Sequence, residues 1–161
     1  MPKGMRVFAF LILVSITLAI RPAIGACLPT TLVSLLANAN IAGIFRGQVI
    51  TLRTVQYPLP DNLGLAQGQV AVVRVELVWK GSISRETVVH FRLGEGNRGL
   101  ADEGDYLFIT HELSEFGRQQ FGLSSGGEPG LGANELGCGV IPFESPYATQ
   151  LLGRAPGQLP R

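Results

Sequence analysis

The side chains with most chemistry to offer are two cysteines, Cys27 and Cys138, and two histidines, His90 and His111. Neither histidine has a partner at a metal-binding interval, and two cysteines 111 positions apart form no zinc pair by themselves, so no intrinsic metal site is expected. His111-Glu112 opens like the H-E-x-x-H of zinc proteases, but Leu113, Ser114 and Glu115 follow and the second histidine is missing. Asp102, Glu103 and Asp105 form a small acidic cluster whose spacing fits no calcium loop; a solvated turn is expected there.

Two glycine patterns also invite a catalytic or cofactor reading. Gly94-Glu95-Gly96-Asn97-Arg98-Gly99 spells G-x-G-x-x-G, but a dinucleotide site needs a helix opening at the third glycine, and the short acidic run Leu100 to Asp105 follows instead. Gly122-Leu123-Ser124-Ser125-Gly126 spells G-x-S-x-G. Gly127 and Pro129 forbid the helix that must follow a nucleophilic serine, and both histidines precede Ser124, the reverse of the hydrolase order. Both stretches are expected to be loops. With no nucleophile–base pair and no metal cluster in the pattern, the expectation is a protein without enzymatic activity and without cofactor. Trp79 is expected to cap the core, its indole N–H reaching a backbone carbonyl.

The compartment follows from the first 26 residues. Lys3 and Arg6 precede an apolar run from Val7 to Ile20 broken only by Ser15 and Thr17, and Ala23-Ile24-Gly25-Ala26 supplies the small residues of a cleavage site. This is the pattern of a signal peptide, and the run is shorter than the roughly 20 apolar residues that cross a bilayer. Residues 1–26 are therefore expected to be removed on export to the periplasm or the extracellular space. That segment holds three of the 13 basic residues and none of the 12 acidic ones, so the remainder carries a charge near −2. A mildly acidic domain without basic clusters is not expected to bind nucleic acid, and no second apolar stretch suggests a membrane span. In an oxidising compartment Cys27 and Cys138 are expected to pair. A loop of that length would contribute about 4–5 kcal/mol in the chain-entropy account. A second reading stays open: Ile24-Gly25-Ala26-Cys27 loosely fits a lipobox, which would make Cys27 a lipid anchor.

Alternation and turn residues mark the elements that position these groups. Thr30 to Asn40 reads as a short helix with Leu32, Leu35, Leu36 and Ala39 on one stripe. Strands are expected at Gly43–Gln56, with a bulge near Gly47, then at Gln69–Lys80, Glu86–Leu93, Asp105–His111 and, more weakly, Gln119–Leu123. Within Gln69–Lys80, the residues Ala71, Val73, Val75, Leu77 and Trp79 share one face; in the next strand Val89 and Phe91 point inward, His90 and Arg92 outward. Tyr57 to Gly68 is expected to be a loop, and Gly122 to Gly139 carries too much glycine for regular structure. Ser145–Leu152 reads as a closing helix with Pro146 in its first turn and Gly153 ending it. One domain is expected over residues 27–153, with 154–161 a flexible tail. Five strands with one apolar face each suit a small closed antiparallel barrel, which leaves few exposed edges.

The order of these pieces resembles a known family. A cysteine directly after the leader is followed by a short helix, then Ile44 to Val49 (IFRGQV), Val73 to Gly81 (VRVELVWKG), Thr87 to Arg92 (TVVHFR), Glu103 to Thr110 (EGDYLFIT) and a late cysteine before a short helix. The arrangement is similar to the bacterial relatives of the tissue inhibitors of metalloproteinases, netrin-like modules. The resemblance implies a mainly β fold: a five-stranded OB-like antiparallel barrel with a short helix at each end, a monomer whose partner is a protein. In animal inhibitors of this type the first cysteine's free α-amine and carbonyl chelate the zinc of the target protease. Carried over, Cys27 would be that residue, and Leu28 would lie near the protease's specificity pocket, giving an inhibitory edge at Cys27 and Leu28. The chain departs from the pattern at Pro29, where such inhibitors carry a second cysteine, and it lacks their mid-chain cysteine. Two roles for Cys27 therefore stay open, zinc ligand or purely structural half of a disulfide. A lipid-anchored envelope protein with a structural or adhesive role is the alternative function.

Overall fold

The computed structural model of the chain describes residues 31–58, 64–93, 99–123, 130–133 and 139–161. Its elements, in chain order, are α1 (Leu32–Ala37), β1 (Gly43–Pro58), β2 (Leu65–Lys80), β3 (Glu86–Leu93), β4 (Asp105–Glu112), α2 (Glu115–Gln120), β5 (Leu131–Ala133), β6 (Val140–Pro142) and α3 (Pro146–Leu152). The strands form one six-stranded sheet ordered β1-β2-β3-β5-β4-β6, and β4 also pairs with β1. Five strands thus pair round in a ring, with β6 added along β4. The fold is mainly β, as expected.

Three expectations about the sheet are corrected. Tyr57–Pro58 and Leu65–Gly68, expected within a loop, extend β1 and β2 and lie in their ladder. The strand expected at Gln119–Leu123 is instead the end of α2 and the turn after it. Ser114 caps this helix by accepting a hydrogen bond from the Gly117 N–H, and Glu115 in the first turn suits the helix dipole. The fifth strand of the ring is Leu131–Ala133, inside the glycine-rich stretch read as irregular, and it lies parallel to β3. The ring is therefore not antiparallel throughout.

Long strands can close a small ring only if they bend. Between Arg46 and Gly47 the register of β1 on β2 slips, with Arg46 opposite Leu77 and Gly47 opposite Val75, so Glu76 is the extra residue of a bulge. Two further slips lie at Ile44/Phe45 and Val49/Thr51. Gly47 is required by close approach: a Cβ there would sit 2.4 Å from Val73 Cγ1 and 2.7 Å from the Arg74 carbonyl oxygen. The bulge also overturns one expected face. Ala71, Val73 and Val75 point into the ring, but beyond Glu76 the inward residue is Val78, and Trp79 packs with a second cluster outside.

The ring interior is filled by Phe45, Phe91, Phe108 and aliphatic residues, all buried, with Phe45 and Phe108 stacked at 5.2 Å between ring centroids. The second cluster lies on the outer face of β1 and β4, where Ile44, Leu107 and Ile141 pack against Leu32 and Leu35 of α1 and Ala148, Leu151 and Leu152 of α3. The stripe expected on α1 is half realised, since the helix stops at Ala37 and leaves Leu36 and Ala39 exposed. Thr31 and Ser34 close a capping box at its start, and the Lys80 ammonium donates to the Leu35, Leu36 and Asn38 carbonyl oxygens at its end. Over the same face, Arg46 donates to both Asp105 carboxylate oxygens, meets Glu76 at 3.2 Å and lies 4.0 Å over the Phe143 ring. Asp105 holds the Arg46 guanidinium above its usual range, chiefly by hydrogen bonding.

Residues 154–161, expected as a flexible tail, run along β2. Val78 and Gln158 exchange backbone hydrogen bonds at 2.7 Å, and the Arg161 N–H donates to the Ile83 carbonyl. The Trp79 indole N–H donates to the Ala155 carbonyl oxygen at 3.0 Å, the kind of partner expected for it.

Replacing Gly47 by alanine should lower stability by about 1–3 kcal/mol through overpacking, seen as a lower urea midpoint at unchanged m-value. Trp79 is the chain's one tryptophan. Ending the chain after Gly153 should shift its fluorescence emission to the red as the indole loses the tail; an unshifted spectrum would show the tail does not cover it.

Candidate functional site: two histidines across a glycine

The outer face not covered by α1 and α3 carries the chain's two histidines. In β3, Val89 and Phe91 point into the ring, so His90 and Arg92 point out. In β4, Phe108 belongs to the interior, and Leu107, Ile109 and His111 alternate on the outer side. Between these strands runs β5, in which Gly132 stands opposite both His90 and His111. One row thus reads His90, Gly132, His111. The glycine is what lets the row close: a Cβ on Gly132 would lie 2.9 Å from His111 Nε2 and 2.6 Å from Leu113 Cδ2. His111 leans over the position where a side chain would stand.

The chain after β4 forms a wall of this site. Helix α2 delivers Phe121, whose ring packs 4.7 Å from His90 and 5.5 Å from Tyr57. That packing leaves His90 only 5% exposed, although its strand position faces outward. Its Nδ1 is buried without a hydrogen-bond partner among the described residues. Such an atom costs about 1–3 kcal/mol unless a further group supplies the partner. The pocket between the histidines has a volume of about 240 Å³ and is lined by Arg92, Glu112 and Leu113 besides the two imidazoles. A larger groove of about 840 Å³ continues from it along β2 and β3, past Val70 and Val88 to Ser82.

The electrostatics favour neutral imidazoles. Burial pushes the His90 pKa below its ordinary value, and the Arg53 guanidinium pushes it further. His111 is lowered in the same way, by burial first and then by Arg92. Arg92 is itself held toward α2 by a hydrogen bond to the Gln120 side chain. Ser114 is the hydroxyl nearest to a nucleophile in this pocket, and its oxygen accepts the Gly117 N–H at 3.1 Å as the helix cap. Among the described residues no group of three or more His, Cys, Asp or Glu is arranged to hold a metal ion.

Of the residues singled out from sequence, Cys27, Leu28 and Cys138 lie outside the described residues, as do Ser124 and most of the Gly94–Gly99 run. Gly99 itself packs against Gln69, whose amide brackets Leu100 by accepting its N–H and donating to its carbonyl. The acidic cluster divides: Asp105 is bound by Arg46, and Asp102 and Glu103 are exposed in the preceding turn. No described helix is long and apolar enough to cross a membrane. The meeting of His90 and His111 was not legible, because it runs through a strand of three residues. The available signal was parity, since both histidines fall on the outward positions of their strands.

A histidine with a lowered pKa binds fewer protons folded than unfolded. Stability is therefore fully present above the ordinary imidazole value of about 6.5 and is lost as pH falls toward the lowered folded values. The melting temperature should fall between pH 7 and pH 5, and His90→Phe, which keeps the ring against Phe121, should flatten that fall. An equal slope in the variant would remove His90 from the effect.

The chain matches no protein-family model, and no curated protein matches it.

Proposed function

We propose that this chain is an exported netrin-like binding module on an OB-type barrel, acting on a protein partner through its N-terminal segment. The observation that carries the reading is the pairing order of the ring, β1-β2-β3-β5-β4 and back to β1, with its one parallel pair, β3 with β5. A closed ring of five strands is what supports reading the fold as an OB-type, five-stranded barrel. A second feature supports the choice of edge. Helix α1 is held at one end by its capping box and at the other by Lys80, and it packs by Leu32 and Leu35 on the outer cluster. Thr31 is thereby held near the ring, which supports an edge in the segment that precedes it.

The partner we propose for this edge is a zinc metalloprotease. Cys27 would present its α-amine and carbonyl to the catalytic zinc, with Leu28 entering the neighbouring pocket. The amine must be free and uncharged, so the chain must begin at Cys27 after export, and a disulfide to Cys138 would hold it in place. A leader cut one residue earlier would leave Ala26 in front and turn the amine into an amide.

Intact mass of the exported protein, followed by inhibition assays against a panel of zinc proteases, tests this reading. The expected mass lacks residues 1–26 and two further hydrogens. Inhibition should be lost in Cys27→Ser and in a chain that retains Ala26. A diacylglycerol increment on Cys27 would overturn the inhibitor and favour the lipid-anchored envelope protein. The right mass without inhibition would leave a binding module whose partner is another protein.

A further inference from the structure

We propose that the pocket between His90 and His111 is a binding site for a small oxyanion, the carboxylate or phosphate group of a ligand. Three observations converge on it. His90 is almost wholly buried, yet its Nδ1 has no partner among the described residues, and buried polar atoms are as a rule partnered. The row His90, Gly132, His111 brings a second imidazole to the same pocket, with His111 and Leu113 leaning over Gly132. Neither imidazole is hydrogen-bonded to another described residue, so the two rings can both serve a guest. Each neutral ring offers one N–H donor and each charged ring two.

The sign of the guest follows from the charges around it. Arg53 on β1 and Arg92 on β3 both act on the histidines as positive charges. The carboxylate of Glu112 on β4 lines the pocket, and that of Glu86 on β3 lies farther along the groove. From β2 the wall is apolar Val70, and α2 presents Gly117. Arg53 and Arg92 are the charges that act most on the two rings, and both disfavour a metal cation there. An anion gains from both arginines and, as pH falls, from both imidazoles. Arg92 keeps nitrogens beyond the one bonded to Gln120, and guanidinium geometry suits a planar carboxylate or a phosphate.

Binding and protonation are then linked. An anion in the pocket favours the imidazolium, so protonation strengthens binding, and a one-unit rise in one imidazole pKa corresponds to about ten-fold in affinity. The guest also offsets the loss of stability on acidification.

Nitrogen-15 NMR of the histidine rings would test this, with sodium acetate and inorganic phosphate titrated separately at constant ionic strength set by chloride, at pH 7.5 and 5.5. The expected result is saturable shifts of both rings by at least one of the anions, on the order of ten-fold tighter at the lower pH. Acetate alone would identify a carboxylate site and phosphate alone a phosphate site. The shifts of the remaining ring should vanish in His90→Phe and in His111→Asn, and Arg92→Gln, an exposed change, should weaken binding while keeping the fold. Shifts that grow linearly without saturating, or that match those from chloride, would overturn the proposal. So would saturable ring shifts with zinc chloride and none with either anion, which would make this a metal site.

Discussion

Everything in this molecule hangs from β1 being paired on both of its edges. Over Gly43–Gln48 the strand bonds to β2 on one side and to β4 on the other, and this closes the ring. A strand can do so only if the sheet curls through most of a turn over a few residues. The bulge at Glu76 and the missing side chain at Gly47 supply that curl. Closure then fixes what each residue of β1 and β4 faces. Phe45 and Phe108 stack inside, while their neighbours Ile44 and Leu107 point outward and must be covered. Helices α1 and α3 exist in this fold to cover them, and neither is long enough to be stable alone.

The outer face is thereby divided in two. Where β1 meets β4 and β6, apolar side chains face out, and two helices and the C-terminal segment seal them. Where β4, β5 and β3 meet, the outward positions are His111, Gly132, His90 and Arg92, and the cover is a single short helix with its aromatic, Phe121. The first region is paired throughout: Lys80 on helix carbonyls, Arg46 on Asp105, Trp79 on Ala155. The second leaves a buried nitrogen without a partner among the described residues. Polar groups retained inside a well-packed domain without partners are the features that packing alone does not explain.

Local patterns made much of the fold legible. The bounds of β3 are those expected from its alternation, Glu86 to Leu93, and the closing helix begins at Pro146 and ends before Gly153 as its capping residues suggest. The register slip at Gly47 was readable because a glycine interrupts an alternating run, although its extra residue, Glu76, lies on the partner strand. Three things were not. Beyond Glu76 the alternation of β2 reads smoothly, yet the inward face switches from Val75 to Val78, because a bulge on one strand is defined by its partner. Strand β5 spans three residues in a glycine-rich stretch, too few for any period to register. Helix α2 carries Gly117 in its middle and is six residues long, so its sequence competes poorly with a strand reading until Ser114 is recognised as its cap.

The same limit explains why the histidine pocket escaped a search by motif. Metal and catalytic motifs are recognised when their members lie a few residues apart on one element. His90 and His111 belong to different strands, and a third strand joins them through its glycine. What unites them is register, which depends on ring closure and so on β1. A pocket built this way has its walls on strands whose hydrogen bonds cannot shift without opening the ring, so His90 and His111 sit where the scaffold holds them most rigidly. Phe121 is the exception, because it arrives on a short helix outside the ring. Displacing that one ring would expose His90 without disturbing a strand, whereas bringing the two imidazoles apart would require breaking β5 from β3 or β4. Phe121 thus covers His90 from outside the ring, while the sheet sets the spacing of the two imidazoles.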